Sequence, residues 1–253
     1  EISTFALERA INILKEYNKY ITEYQVEKVL CVGTSAIREA KNSSFVIRKI
    51  EEEVGISVMP IDGEFEAFLS FIGTVQDDSY SIVIDIGGGS TELIAGENGK
   101  ISFRKSFSFG VVKLTEIYAK KHPPDEKAIN EIEDFLNQNF HKINRDIVKG
   151  KIYAVAGTPT TIAAVVQNLK AYDSTKVDNY VLTLDKIKQA KDLFLSMSIE
   201  EIVSRLYVPP LRADVITIGT IILEIFCEYF KIDSVIVSDK GLRYGIAKYF
   251  TSK

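Results

Sequence analysis

The chain has 253 residues, 46% hydrophobic and 26% charged, with two cysteines and a formal net charge of -4. That composition describes an ordinary globular protein and excludes a disordered, collagen-like or disulfide-stapled chain. It also supplies no overall basic field for nucleic acid or an anionic membrane, and the length is enough for two lobes.

Residues 4–20 place Phe5, Leu7, Ile11 and Leu14 at helical spacing among polar neighbours, so a helix with one wet face is expected. Residues 26–32 read as a buried strand, and Gly33-Thr34-Ser35 turns it into a helix that carries Arg38. A helix over 45–54 closes at Gly55, in the C′ position that favours glycine. After a short strand at 56–61, Gly63-Glu64-Phe65-Glu66 opens the next helix. The polar stretch 73–79 is the expected hinge, separating a first lobe, 1–76, from a second, 77–253.

The second lobe starts with an apolar run, 81–84, that ends in Asp85, turns through Gly87, Gly88 and Gly89, and returns as a strand carrying Glu92. A strand at 101–107 and a helix from 112 follow, and Pro123-Pro124-Asp125 opens a helix to about residue 140. A strand at 152–156 runs into a second turn, Gly157-Thr158-Pro159-Thr160-Thr161, in which Thr158 is the expected cap and Pro159 the first helical residue. Residues 177–206 read as mostly helical after a short strand and 213–230 as a long buried helix. A last strand at 234–237 leads to Ser238-Asp239-Lys240-Gly241-Leu242-Arg243 and a closing helix, 241–253, which is available to pack back on the first lobe. Strands alternating with helices, with glycine turns at strand ends, indicate an α/β protein whose ligand lies at the carboxyl ends of its strands.

Bare backbone at Gly87, Gly88 and Gly89, continued at Ser90, lets a phosphate approach main-chain N–H groups where no Cβ intervenes. Asp85 and Glu92 beside it are hard oxygen ligands suited to a Mg²⁺ that bridges to phosphate. The bland alternative is a glycine-rich hairpin with surface acids. Gly157 and Thr158 offer a helix start facing the same cleft, though any well-capped helix looks alike. Arg38 at the end of its strand can grip phosphate bidentately or stand as an exposed helical arginine. Glu66 can deprotonate an attacking water or simply complement its helix dipole. Neither His122 nor His141 has metal-ligand spacing, and no Gly-x-Ser-x-Gly elbow, Walker lysine loop or Cys-x-x-Cys pair occurs. Cys31 and Cys227 read as buried free thiols; the most apolar run, 215–226, is too short for a bilayer and no signal-peptide pattern opens the sequence, so a cytoplasmic protein is expected.

In chain order, Gly33-Thr34-Ser35-Ala36-Ile37-Arg38-Glu39-Ala40, Gly63-Glu64-Phe65-Glu66-Ala67, the Asp85 to Glu92 hairpin, Ala156-Gly157-Thr158-Pro159-Thr160-Thr161, Arg212-Ala213-Asp214 and the segment from Val237 to Gly245 resemble the exopolyphosphatase and guanosine pentaphosphate phosphohydrolase (Ppx/GppA) family. The resemblance covers essentially the whole chain. It implies a two-lobed ribonuclease-H-like fold of the actin-like and Hsp70-like ATPase superfold. The activity it implies is Mg²⁺-dependent hydrolysis of the terminal phosphoanhydride of polyphosphate or pppGpp. Glu66 would be the general base, Asp85 and Glu92 would hold metal and water, and Arg38 with the amides from Gly87 to Ser90 would bind phosphate. The family also implies a homodimer whose ligand is polyphosphate or guanosine penta- or tetraphosphate.

Members of the family usually open on a strand ending in Asp-x-Gly-Ser-Asn-Ser/Thr, a first phosphate loop upstream of the helix at Thr4. Without it the first lobe is expected to be incomplete, with an exposed sheet edge. The chain alone is then expected to be weak or inactive, each lost phosphate donor being worth roughly 3 kcal/mol. The alternatives are an alarmone- or polyphosphate-binding regulator without turnover and, less favoured for want of an inserted substrate domain, a kinase or chaperone of the same superfold.

Overall fold

Ser3 caps the first helix, α1 (Thr4–Glu23), its hydroxyl accepting from the Ala6 amide at 3.2 Å. The computed structural model describes residues 1–251. They form an α/β protein of two units, Glu1–Ala67 and Phe68–Lys253, of which 252 and 253 lie outside the described residues.

In the first unit α1 is followed by β1 (Cys31–Gly33), α2 (Ser35–Glu39), α3 (Ser43–Val54), β2 (Val58–Pro60) and the start of α4 (Gly63–Thr74). Leu7 and Ile11 of α1 pack with Val46, Ile50 and Val54 of α3 and with Ile56 and Val58, the one-sided burial that their spacing requires. Gly55 ends α3 at φ 73°, with its amide on the Glu51 carbonyl. β1 and β2 pair in parallel over three residues, from Cys31–Val58 to Gly33–Pro60. The strand expected over 26–32 is therefore shorter and later than its apolar run. Val26, Val29 and Leu30 are exposed, because a strand lasts only as long as its partner's ladder and β2 offers three residues.

α4 runs unbroken across the boundary between the units, so the polar segment 73–79 begins inside its last turn. The second unit continues with β3 (Ser81–Ile86), β4 (Thr91–Glu97), β5 (Lys100–Phe107), α5 (Val111–Tyr118), α6 (Glu126–Phe140) and β6 (Lys151–Val155). Then come α7 (Gly157–Val166), α8 (Ser174–Val177), β7 (Val181–Thr183), α9 (Leu184–Leu195), α10 (Ile199–Leu206) and α11 (Pro210–Ala213). α12 (Ile216–Phe230), β8 (Ser234–Val237) and α13 (Leu242–Thr251) complete it.

The sheet runs β5-β4-β3-β6-β8-β7. β3, β4 and β5 form an antiparallel meander, β6 and β8 continue parallel to β3, and β7 closes the edge antiparallel. Alternation divides β3 into two faces. Ile82, Ile84 and Ile86 enter the main core with Leu114 of α5, Leu136 and Phe140 of α6 and the apolar length of α12. Asp85 points to the other face. There Phe71 of α4 lies so close to β4 that a Cβ on Gly96 would stand 3.0 Å from its ring.

α13 also lies against the second half of α4, where glycines let two helix backbones meet: a Cβ at Gly245 would collide with the Leu69 backbone, and one at Gly73 with the Gly241 carbonyl. Lys248 of α13 donates to the Ile72 carbonyl at 3.3 Å. The closing helix thus packs on residues 69–73. No described helix is long and apolar enough to cross a membrane.

Candidate phosphate-binding site

The β3–β4 register pairs Ser81 with Gly96 and, five residues on, Ile86 with Thr91, which sets Asp85 directly opposite Glu92. Directly opposed residues share one face with Cβ atoms about 5 Å apart. Each carboxylate is held by a serine: Ser70 Oγ of α4 donates to Asp85 Oδ2 at 3.3 Å, and Ser106 Oγ of β5 donates to Glu92 Oε1 at 2.8 Å. Two carboxylates are thereby fixed side by side at the mouth of the hairpin.

The Gly87 amide donates to the Ser90 carbonyl at 3.0 Å, closing the turn around Gly88 and Gly89. The carbonyls of Gly87 and Gly88 are already used. Gly87 accepts from Val111 at 3.0 Å and Gly88 from Val112 at 2.9 Å, so the turn caps the first amides of α5. Gly110 makes this approach possible, since a Cβ there would strike the Gly87 carbonyl and the Gly88 backbone. With the carbonyls turned into α5, the amides of Gly88, Gly89 and Ser90 have no acceptor among the described residues. Consecutive unengaged N–H groups in a turn form a concave donor for an anion.

In the first unit, Arg38 at the end of α2 reaches Glu66 in the first turn of α4. Arg38 Nη1 donates to Glu66 Oε2 at 3.0 Å and to the Ile61 carbonyl at 2.8 Å, while Nη2 lies 3.8 Å from Glu39. Asp62 starts α4 by accepting from the Phe65 amide at 2.8 Å, and this cap orients Glu66. The two residues singled out as phosphate ligand and base thus form one half-buried ion pair. A guanidinium carries five donors, so three remain for a ligand.

The second turn leaves β6 through Ala156, whose φ of 77° is the left-handed region that a non-glycine residue adopts at a cost of roughly 1 kcal/mol or more. That reversal makes Ala156 the N-cap and Gly157 the first helical residue, in place of the expected cap at Thr158 and start at Pro159. Gly157 lies under Arg212, whose Nε would be 3.4 Å from a Cβ at that position and whose Nη1 donates to Thr161 Oγ1 at 3.3 Å. The Thr158 side chain is buried against Gly219 of α12. Nearby, partial burial together with a hydrogen bond to Asp239 raises the Tyr172 phenol well above its ordinary range. Asp239 lies between β8 and α13, in a turn that Asp178 ties down by accepting from the Asp239 amide at 3.2 Å and from Lys240 Nζ at 3.0 Å. Arg212 and Tyr172 were not singled out as site residues, because nothing local in sequence ties either to Gly157 or Asp239.

Among the described residues no group of three or more His, Cys, Asp or Glu gathers to hold a metal. Asp85 and Glu92 fit a different kind of site. Mg²⁺ takes one or two carboxylates and fills its other positions with water and phosphate oxygens, and two hard donors on one face beside a turn with unengaged amides fit that need.

The chain matches the Ppx/GppA phosphatase family over residues 1–249. It is 33% identical over 250 residues to the bifunctional 3-dehydroquinate synthase/phosphatase of Fusobacterium nucleatum, a match that covers 92% of this chain and 37% of that protein. It is 27% identical to exopolyphosphatase 2 of Mycobacterium tuberculosis, covering 96% of this chain and 81% of that protein. The crystal structure of the Aquifex aeolicus Ppx/GppA family member superposes with a TM-score of 0.84 at 35% identity, over 99% of this chain and 83% of that one. By this match along nearly its whole length, the chain belongs to the Ppx/GppA phosphatase family.

Proposed function

We propose that this chain hydrolyses the terminal phosphoanhydride of inorganic polyphosphate or of pppGpp. The observation that carries the proposal is the Asp85–Glu92 pair set beside the unengaged amides of Gly88, Gly89 and Ser90. Membership of a phosphatase family and likeness to a protein named an exopolyphosphatase support it.

Phosphoryl transfer asks a protein mainly to position its reactants and neutralise charge. The amides of the glycine turn and the remaining donors of Arg38 bind phosphate oxygens. Glu66 takes the proton of the attacking water, and its bond from Arg38 fixes the direction in which the carboxylate points. Asp85 and Glu92 would hold Mg²⁺, which when bound offsets the negative charge of the phosphates. Arg212, which lies over Gly157, would meet a further phosphate of a long substrate. A cytoplasmic homodimer belongs to the same proposal.

The test is phosphate release from polyphosphate and from pppGpp by the native gene product and its Glu66→Gln form. A positioned base contributes roughly 10²- to 10⁴-fold, so a loss of that size is expected. Equal rates for the two forms would remove Glu66 from the mechanism, and no release from either substrate would overturn the proposal. One observation favours a second reading, an alarmone- or polyphosphate-binding regulator: the Glu66 carboxylate is already engaged by Arg38. Calorimetric binding of pppGpp or polyphosphate without phosphate release would select it.

A further inference from the structure

We infer that Ser70 is a positioning residue for the phosphatase reaction, setting the Asp85 carboxylate through its hydroxyl; this rests on the function proposed above. A serine in a helix interior ordinarily faces water or bonds back to the carbonyl one turn earlier. Ser70 does neither. It is 3% exposed in the middle of α4, and its Oγ donates to Asp85 Oδ2 on the neighbouring strand. A hydroxyl on one oxygen of a carboxylate restrains the rotation of that carboxylate, which is how outer groups orient metal-binding acids.

Thr74, fully buried one turn on, shows the ordinary arrangement, its hydroxyl donating back to the Ser70 carbonyl at 2.8 Å. Ser70 itself sits on a fixed support. Gly245 of α13 meets the Leu69 backbone beside it. The helix segment carrying the donor is therefore pinned along its buried side. Nothing in the glycine-rich hairpin could reveal this, because the donor lies on a different element.

The experiment compares Ser70→Ala with Thr74→Val in the native gene product. Both remove a buried hydroxyl from α4, and only the first removes a bond to Asp85. Loss of an orienting partner lowers metal affinity or activity by about 10- to 100-fold. Ser70→Ala is accordingly expected to lower kcat for phosphate release and to weaken calorimetric Mg²⁺ binding within that range. KM for polyphosphate should stay within about twofold and Thr74→Val should keep both constants, as a role confined to Asp85 requires. If Ser70→Ala does not fold, Ser70→Cys, of nearly the same shape and a weak donor, carries the same comparison. Parental kcat and Mg²⁺ binding in the Ser70 variant, or equal losses in the Ser70 and Thr74 variants, would overturn the inference alone. Absence of phosphate release by the parent would overturn the proposed function and this inference with it.

Discussion

Asp85 and Glu92 stand directly across the β3–β4 ladder from each other, each held by a serine from a different neighbouring element. This pair lies one step from the end of the ladder, beside the glycine turn. The same turn caps α5 with its carbonyls, so one local arrangement exposes the amides and anchors the hairpin.

Arg38→Lys tests the ion pair of the first unit. Lysine keeps the charge but loses the planar fork that reaches the Ile61 carbonyl and Glu66 from a single nitrogen while leaving donors over. We expect KM for polyphosphate to rise by about tenfold, the loss of one charge-assisted bond. Steady-state kinetics showing an unchanged KM would separate Arg38 from phosphate binding.

Gly110→Ala tests the support of the glycine turn. The new methyl would press on the Gly87 carbonyl and the Gly88 backbone, whose bonds to Val111 and Val112 hold the turn on α5. Overpacking at such a contact costs about 1–3 kcal/mol. The thermal midpoint and the rate of phosphate release should fall together. A variant with parental stability and rate would show that the turn does not depend on this approach.

Asp77 gives a prediction in pH. Hydrogen bonds from Lys151 and Ser79 lower its carboxyl from an ordinary 3.8 to about 2. A depressed carboxyl stabilises the fold above its unfolded value, and that stability is lost as pH falls through the folded one. Asp77→Asn should therefore lower Tm at neutral pH, with the gap to the parent closing between about pH 4 and pH 2. A gap that widens on acidification would contradict the assignment.

The hairpin was legible in the sequence because its parts are local. A two-residue turn at Gly88 and Gly89 fixes the register, and a slip of one residue would send Asp85 and Glu92 to opposite faces. Most helices were legible for a similar reason: Asp125 caps α6 and Gly55 ends α3 where their chemistry places them. What stayed hidden depended on distant partners. The apolar run over 26–32 signalled burial, yet its length as a strand was set by β2, which pairs with three residues. Thr158 looked like a cap until the left-handed Ala156 moved the helix start upstream. Ser70 and Arg212 meet Asp85 and Gly157 only through the packing of α4 and α11, which no spacing in the chain encodes.

Everything turns on whether Asp85 serves the chemistry of condensed phosphate. Phosphate release from long-chain polyphosphate, measured in Mg²⁺ for the native gene product and for Asp85→Asn, tests this most directly. A loss of about a hundredfold or more is expected, with the thermal midpoint kept, since a metal's charge stabilisation is worth several kcal/mol and each 1.36 kcal/mol is tenfold. Equal rates in the two proteins would contradict it.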